Sequence, residues 1–280
     1  MNLVPFFPLP KGAELISVMS ADTQLAVLHS PASNPRGVVH FVHGFTGSKE
    51  DAWLLIELFN QRGYSFIAHD NRGQFQSAHA EPSTYVLPQL ADDIHSIHQQ
   101  LGYRDVHVIG HSFGGLVTQQ FALTHQPASL TLLCTGPGAL RERKEKFDYT
   151  REFIGTKQPA EVRDYWLATR DPQLNLGFPE ANDSVHTIRW LASDMESVKS
   201  HLSIMGANDD VSQALAQRGI ATQVVYGQFD DAWPIAEQAR LAATLHAPLV
   251  EISESGHCPN EDNPQALVDV VTKFIEGVAK

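Results

Sequence analysis

Cysteine is almost missing from this sequence: Cys134 and Cys258 are the only two, and neither stands in a C-x-x-C or other metal-ligand spacing. A disulfide framework is therefore excluded. Positive charge is also scarce, with 20 Lys and Arg against 32 Asp and Glu and a net charge of -12. Such a balance repels phosphate backbones and anionic membrane surfaces, so neither nucleic acid nor a membrane is expected as a partner. Phosphate-cradling glycine loops are lacking too. Neither G-x-G-x-x-G nor G-x-x-x-x-G-K-[ST] can be fitted to Gly110, Gly114 and Gly115, nor to Gly44 and Gly47. Met1 to Pro10 is apolar but has no basic flank, contains three prolines and is too short for a secretory core or a membrane span. A cytoplasmic location is the expectation. Low-complexity runs and internal repeats are absent as well. What is present is ordinary globular material, 42% hydrophobic and 19% charged over 280 residues, enough for a sizeable core.

Two short apolar stretches, Glu14–Met19 and Gln24–Leu28, flank the turn-like Ser20-Ala21-Asp22 and predict an antiparallel hairpin at one edge of a sheet. Beyond it a repeating pattern begins: a β-branched, apolar run, a loop, then an amphipathic stretch. That alternation predicts an α/β fold, a mostly parallel, doubly wound sheet with helices on both faces. Strands are expected at Val38–Val42, Tyr64–Ala68, Val106–Ile109, Leu130–Cys134, Thr222–Tyr226 and Leu249–Ile252. Helices are expected around Lys49–Gln61, Leu90–Leu101, Phe113–His125, Val211–Gln217, Pro234–Leu245 and Pro264–Glu276. Pro234 and Pro264 suit a first helical turn, and Asn263 suits the cap of the last helix. Between about Gly138 and Ala207 the strand-like runs vanish and the sequence turns helical, charged and aromatic, with Phe147, Tyr149, Phe153, Tyr165, Trp166 and Trp190. This predicts an inserted helical cap over 138–207 that divides the core into 1–137 and 208–280. Its basic cluster, Arg141, Arg143, Lys144 and Lys146, reads as a solvated helix face.

Gly110-His111-Ser112-Phe113-Gly114 follows the apolar strand Val106–Ile109 and opens an apolar helical stretch, which is the strand–turn–helix setting that G-x-S-x-G chemistry requires. A tight turn there strains Ser112 and leaves no room for side chains two residues away, hence glycine at 110 and 114. The turn projects the hydroxyl out of the sheet, and the new helix brings its positive end beside it.

Several motifs together resemble the α/β-hydrolase superfamily along nearly the whole chain, the cap region excepted. His43-Gly44-Phe45 ends the first parallel strand and is similar to the family's H-G-x loop, which implies that the Phe45 amide is one oxyanion donor and the Phe113 amide the other. His43 then reads as a loop-shaping residue. Asp70-Asn71-Arg72-Gly73-Gln74-Phe75-Gln76-Ser77 is similar to D-x-R-G-x-G-x-S, with Phe75 where glycine is usual, and the resemblance implies architectural roles for Asp70 and Arg72. Gly227-Gln228-Phe229-Asp230, followed by Pro234, resembles G-x-x-D-x-x-x-P and implies that Asp230 is the triad acid, with Asp231 as its rival. Gly256-His257-Cys258-Pro259, followed by Pro264, resembles G-H-x-P-x-x-x-x-P and implies that His257 is the base. The order Ser112, Asp230, His257 is the superfamily's own.

The expected chemistry is attack by Ser112 on a carbonyl carbon of a small or medium acyl substrate, with no metal or organic cofactor. Phe229 and Trp233 are candidate substrate contacts, although aromatic residues near such a site serve packing as readily. Cys258 lacks an elbow and reads as a free thiol, and Asp92, His95 and His98, at helical spacings, read as a polar helix face rather than a metal site. Carbon–carbon bond hydrolysis, cofactor-free perhydrolysis and a slow, receptor-like ligand binder remain alternatives with the same triad.

Overall fold

The computed structural model describes residues 8–158 and 187–278, together with residues 3, 5, 160, 161 and 164. Among the described residues eight strands form, β1 Glu14–Ser20, β2 Thr23–Ser30, β3 Gly37–Val42, β4 Tyr64–His69, β5 Val106–His111, β6 Ser129–Leu133, β7 Thr222–Gly227 and β8 Leu249–Ile252. They make one sheet in the order β1-β2-β4-β3-β5-β6-β7-β8. β2 runs antiparallel to both of its neighbours, and the pairings from β4 through to β8 are parallel. The hairpin expected at one edge is there, closed by Ala21 in a left-handed conformation (φ 51°) with Ser20 opposite Thr23.

Side-chain alternation along the strands divides the core in two. Val38 and Val42 face α2 (Leu87–Leu101) and α3 (Phe113–Thr124), where they meet Leu90, Ile94, Leu116, Val117 and Phe121. Val39 and Phe41 face the other way, toward Leu55 and Phe59 of α1 (Trp53–Gln61) and Leu267, Val271 and Ile275 of the C-terminal helix Pro264–Val278. Strands buried on both faces need no polar alternation, which is why β4 and β6 are buried at every position.

Boundaries shift by a residue or a turn where backbone conformation overrides propensity. The strand expected over Leu130–Cys134 covers Ser129–Leu133, because Cys134 turns left-handed (φ 49°) and leaves the pleat. The helix expected from Lys49 begins as a 3₁₀ turn, Lys49–Ala52, before α1 proper. α2 starts at Leu87, one turn early, because Pro88 belongs to its first turn. Pro234 is the residue before its helix rather than part of the first turn, whereas Asn263 caps the last helix as expected, its Oδ1 accepting from the Ala266 amide at 3.3 Å.

Between β6 and β7 the helices Lys144–Thr156 and Met195–Ala207 pack on each other, with a further helical stretch at 187–192. Leu140, Ile154, Trp190, Val198, Leu202 and Met205 continue the core on the α2–α3 face. Arg141, Lys144 and Lys146 are exposed, as a solvated face requires, while Arg143 reaches the Asp231 carbonyl. Tyr165 and Trp166 lie outside the described residues. Among the described residues no helix is long and apolar enough to cross a membrane.

Candidate active site

Parallel pairing sets the site, because it puts the ends of β3, β5, β7 and β8 at one edge of the sheet. Val42 lies opposite Gly110, His111 opposite Leu133, Leu133 opposite Val225, and Gly227 opposite Ile252. The segments that follow, carrying Phe45, Ser112, Asp230 and His257, therefore all leave the sheet on the same side, where open α/β sheets bind their ligands.

Ser112 joins β5 to α3 with φ 53° and ψ -117°, a conformation that costs a non-glycine residue about 1–3 kcal/mol. The surroundings over-determine it. Its amide donates to the Leu133 carbonyl at 2.9 Å, and its own carbonyl accepts from Thr135 Oγ1 at 2.8 Å and the Gly115 amide at 2.9 Å. A side chain at Gly114 would strike the carbonyl oxygens of Val42 and His43, and one at Gly110 would strike Thr118. The two glycines thus exist because the turn passes that close to β3 and α3.

Asp230 and His257 are in direct contact: His257 Nδ1 donates to Asp230 Oδ1 at 2.8 Å. The loops that carry them are zipped together by Gln228 N to Ile252 O and Phe229 N to Ser255 O, both 2.9 Å. Gly227 permits this approach, since any side chain there would collide with the Gly256 carbonyl. Oδ1 of Asp230 also accepts from the amides of Ala232 (3.0 Å) and Trp233 (3.1 Å), and Oδ2 accepts from Gln238 Nε2 at 2.7 Å. Burial opposes ionisation of this carboxyl, but the His257 hydrogen bond and charge and the bonds from Trp233 and Gln238 outweigh it, bringing it down to about 2. Asp231, the sequence rival, is exposed.

His111 is a site residue that sequence reasoning passed over, although it sits inside the G-x-S-x-G motif. Its Nε2 donates to the His257 carbonyl at 2.8 Å, and the two rings lie 5.0 Å apart. Burial pushes its imidazole down to about 4, so it stays a neutral donor that ties the His257 loop to the residue beside Ser112. His111, Cys134 and His257 are also the one group among the described residues whose metal-ligating atoms all come within 4.8 Å of one another. Two of the three are engaged as donors, His257 Nδ1 to Asp230 and His111 Nε2 to a carbonyl.

At the loop expected to supply an oxyanion donor, Gly44 presses on the elbow so closely that a Cβ there would stand 3.2 Å from Ser112 Cβ, which brings the Phe45 loop against the turn. Phe113 opens α3 and its ring stacks on His201, centroids 4.2 Å apart. Of the two candidate substrate contacts, Phe229 is 66% exposed and Trp233 only 2%, packed in the core near Gly136. His43 Nε2 accepts from the Asn71 amide at 3.0 Å, a loop-shaping contact.

Asp70 accepts from Lys49 Nζ at 2.9 Å and from the Lys49 amide at 2.8 Å, and Arg72 Nε donates to Asp93 at 2.7 Å, all buried. Phe75, standing where glycine is usual, takes the left-handed conformation all the same (φ 43°), with Lys49 Nζ 4.7 Å above its ring. One sequence expectation needs correction. His98 is not part of a polar face: it is buried and hydrogen-bonded to His40 at 2.8 Å, because α2 turns that side toward the sheet. His95 stacks on His125 instead, centroids 4.2 Å apart. Both cysteines are free, and burial pushes both thiols up.

Comparison with known proteins adds to this geometry. The model of the alpha/beta hydrolase family matches residues 41–270. The chain is similar to a non-heme haloperoxidase of Rhodococcus erythropolis, 28% identical over 222 residues that make up 74% of this chain and 80% of that protein. It is 31% identical over 217 residues to a non-heme chloroperoxidase of Burkholderia pyrrocinia, covering 71% of this chain and 76% of the relative. Among solved structures, a thermophilic esterase from Thermogutta terrifontis superposes with a TM-score of 0.78 over 96% of this chain and 100% of that one, at 22% identity.

Proposed function

The chain belongs to the α/β-hydrolase family, and on that footing we propose that it is a serine hydrolase cleaving small or medium carboxylic esters through Ser112, His257 and Asp230. The observation that carries the reading is the 2.8 Å bond from His257 Nδ1 to a buried Asp230 whose carboxyl lies at about 2. An ionised acid fixed by three further donors holds the imidazole with its proton on Nδ1, which leaves Nε2 free to accept one. Ser112 Oγ then attacks the ester carbonyl carbon as His257 Nε2 takes its proton, and the carbonyl π electrons move onto oxygen. The amides of Phe45 and Phe113, aided by the positive end of α3, meet that oxyanion, each such donor being worth about 3 kcal/mol. Collapse expels the alcohol, protonated by His257. Water, deprotonated by the same nitrogen, releases the carboxylate and restores Ser112.

We read residues 138–207 as a cap over this site, with the exposed Phe229 at the rim of an apolar acyl pocket and Trp233 supporting its wall. The cytoplasmic reading rests on the two unpaired cysteines. A second reading, perhydrolysis, is favoured by the two peroxidase-named relatives: hydrogen peroxide would replace water in the second step and release a peracid. Steady-state kinetics on p-nitrophenyl esters of increasing acyl length, with and without added hydrogen peroxide, separate the two. Ser112→Ala should lower kcat by several orders of magnitude on every ester while the circular dichroism spectrum is kept. Near-normal turnover in that variant would refute the proposal.

A further inference from the structure

We infer that Arg189, a residue of the segment between β6 and β7, is a positioning residue for the oxyanion loop: it holds the Gly44–Ser48 turn in the shape that aims the Phe45 amide. The inference rests on the hydrolase reading above and extends it to a side chain that touches none of the reacting atoms.

Arg189 is buried, and its Nη1 makes two contacts across the chain, to Ser48 Oγ at 3.2 Å and to the Asp51 carboxylate. Those two partners are the halves of a capping box: the Ser48 amide donates to Asp51 Oδ2 at 3.3 Å, and Ser48 Oγ accepts from the Glu50 amide at 3.4 Å. The oxyanion loop is wrapped around that carboxylate. A side chain at Gly47 would collide with Asp51 Oδ2, the Gly47 amide donates to the Gly44 carbonyl at 3.0 Å, and Thr46 is left-handed at φ 57°. Gly44 in turn abuts the Ser112 elbow. From guanidinium to elbow the chain of contacts is therefore Arg189, Asp51 with Ser48, the turn, and Gly44.

The same carboxylate residue touches the base loop. Asn260 Nδ2 donates to the Asp51 carbonyl at 2.8 Å, three positions after His257, and Glu261 follows. Burial and the Asp51 charge push the Glu261 carboxyl up to about 8, with Arg189 opposing them. Arg189 thus pairs directly with an acid of the oxyanion loop, and its charge also acts on an acid of the base loop. Its own footing is fixed. Ser193 Oγ accepts from the Phe75 amide at 3.1 Å, the Asp194 amide donates to the Gly73 carbonyl at 2.7 Å, and Tyr85 Oη donates to Asp194 at 2.6 Å.

Loss of the guanidinium would leave the capping box without its outer donor and let the turn relax. A donor displaced by a fraction of an ångström still binds ground-state substrate but serves the transition state poorly, so kcat falls while KM holds. The test uses the full-length protein and a p-nitrophenyl ester, comparing wild type with Arg189→Met, Arg189→Lys and Asp51→Asn. A trifluoromethyl ketone, which forms a tetrahedral adduct, reports oxyanion binding directly.

The expected result is a fall in kcat of about tenfold or more in Arg189→Met and Asp51→Asn, KM within about twofold, and a ketone Ki that rises in proportion. Arg189→Lys, which keeps a cation able to reach both acceptors, should recover at least half of the loss on a logarithmic scale. A KM effect with unchanged kcat, a ketone Ki that stays level, or a lysine variant as impaired as methionine would overturn the inference. If Arg189→Met fails to fold, Asp51→Asn reads the same contact from the other side and decides alone. Wild-type protein that is never modified at Ser112 by a fluorophosphonate would sink the hydrolase reading itself. Normal modification and turnover with no Arg189 effect would sink this inference only.

Discussion

Replacing Glu261 by glutamine should make the protein more stable, and increasingly so as the pH rises. Burial and the charges of Asp51 and Asp262 outweigh the Arg189 guanidinium and bring the Glu261 carboxyl from 4.5 to about 8. A folded state that holds a proton more tightly than the unfolded chain loses stability as that proton is stripped from the unfolded chain. The loss therefore begins above about pH 4.5 and is complete once the folded carboxyl also ionises near 8. By linkage such a rise, at a side chain partly open to screening solvent, corresponds to about 2 kcal/mol. Glutamine matches the protonated acid in shape and cannot ionise in either state. Urea denaturation of both proteins at about pH 5 and about pH 8.5 should give a gap that is small at the lower pH and about 2 kcal/mol in favour of Glu261→Gln at the higher, with unchanged m-values. A gap that is the same at both pH values, or that favours the wild type as pH rises, would refute the reasoning.

Three further outcomes follow from the site. Asp230→Asn should keep the fold but lower kcat by about 10³–10⁴-fold, since an amide no longer enforces the Nδ1–H tautomer of His257; a loss under tenfold in ester turnover would contradict that role. Gly114→Ala, whose new methyl strikes two β3 carbonyls, should lose about 1–3 kcal/mol in a urea titration and most of its activity, whereas Gly277→Ala, in open space, should lose neither. The Cys134 thiol, fully buried and raised by that burial, should react with iodoacetamide in native protein far more slowly than in urea, and fast native labelling at Cys134 would contradict its place in the core.

The elbow was legible in the sequence because its requirements are local and steric: a strained serine needs glycine two residues to either side, and only a few sequences meet that need at a strand–helix junction. The positions of β3 to β7 were legible for the same kind of reason, as runs buried on both faces have no polar alternation to confuse. The positive φ of Cys134 and of Phe75 was not, because neither is a glycine or asparagine and neither Leu133 and Thr135 nor Gln74 and Gln76 beside them mark a left-handed turn. Asp230 and His257 were named by resemblance rather than from pattern, since their contact joins residues 27 positions apart across two parallel strands. His98 was misread because the helical spacing of His95 and His98 does not say which side of α2 meets the sheet. Arg189 gave no signal at all: its partners lie 138 and 141 residues away, and a buried cation looks like any surface arginine until the fold closes around it.

Mass spectrometry of the intact and digested protein after fluorophosphonate treatment tests the central claim most directly. The account predicts a single stoichiometric adduct on the peptide holding Ser112, abolished by Ser112→Ala and strongly slowed by His257→Ala. An adduct on any other residue, or none while the protein still turns over esters, would contradict it.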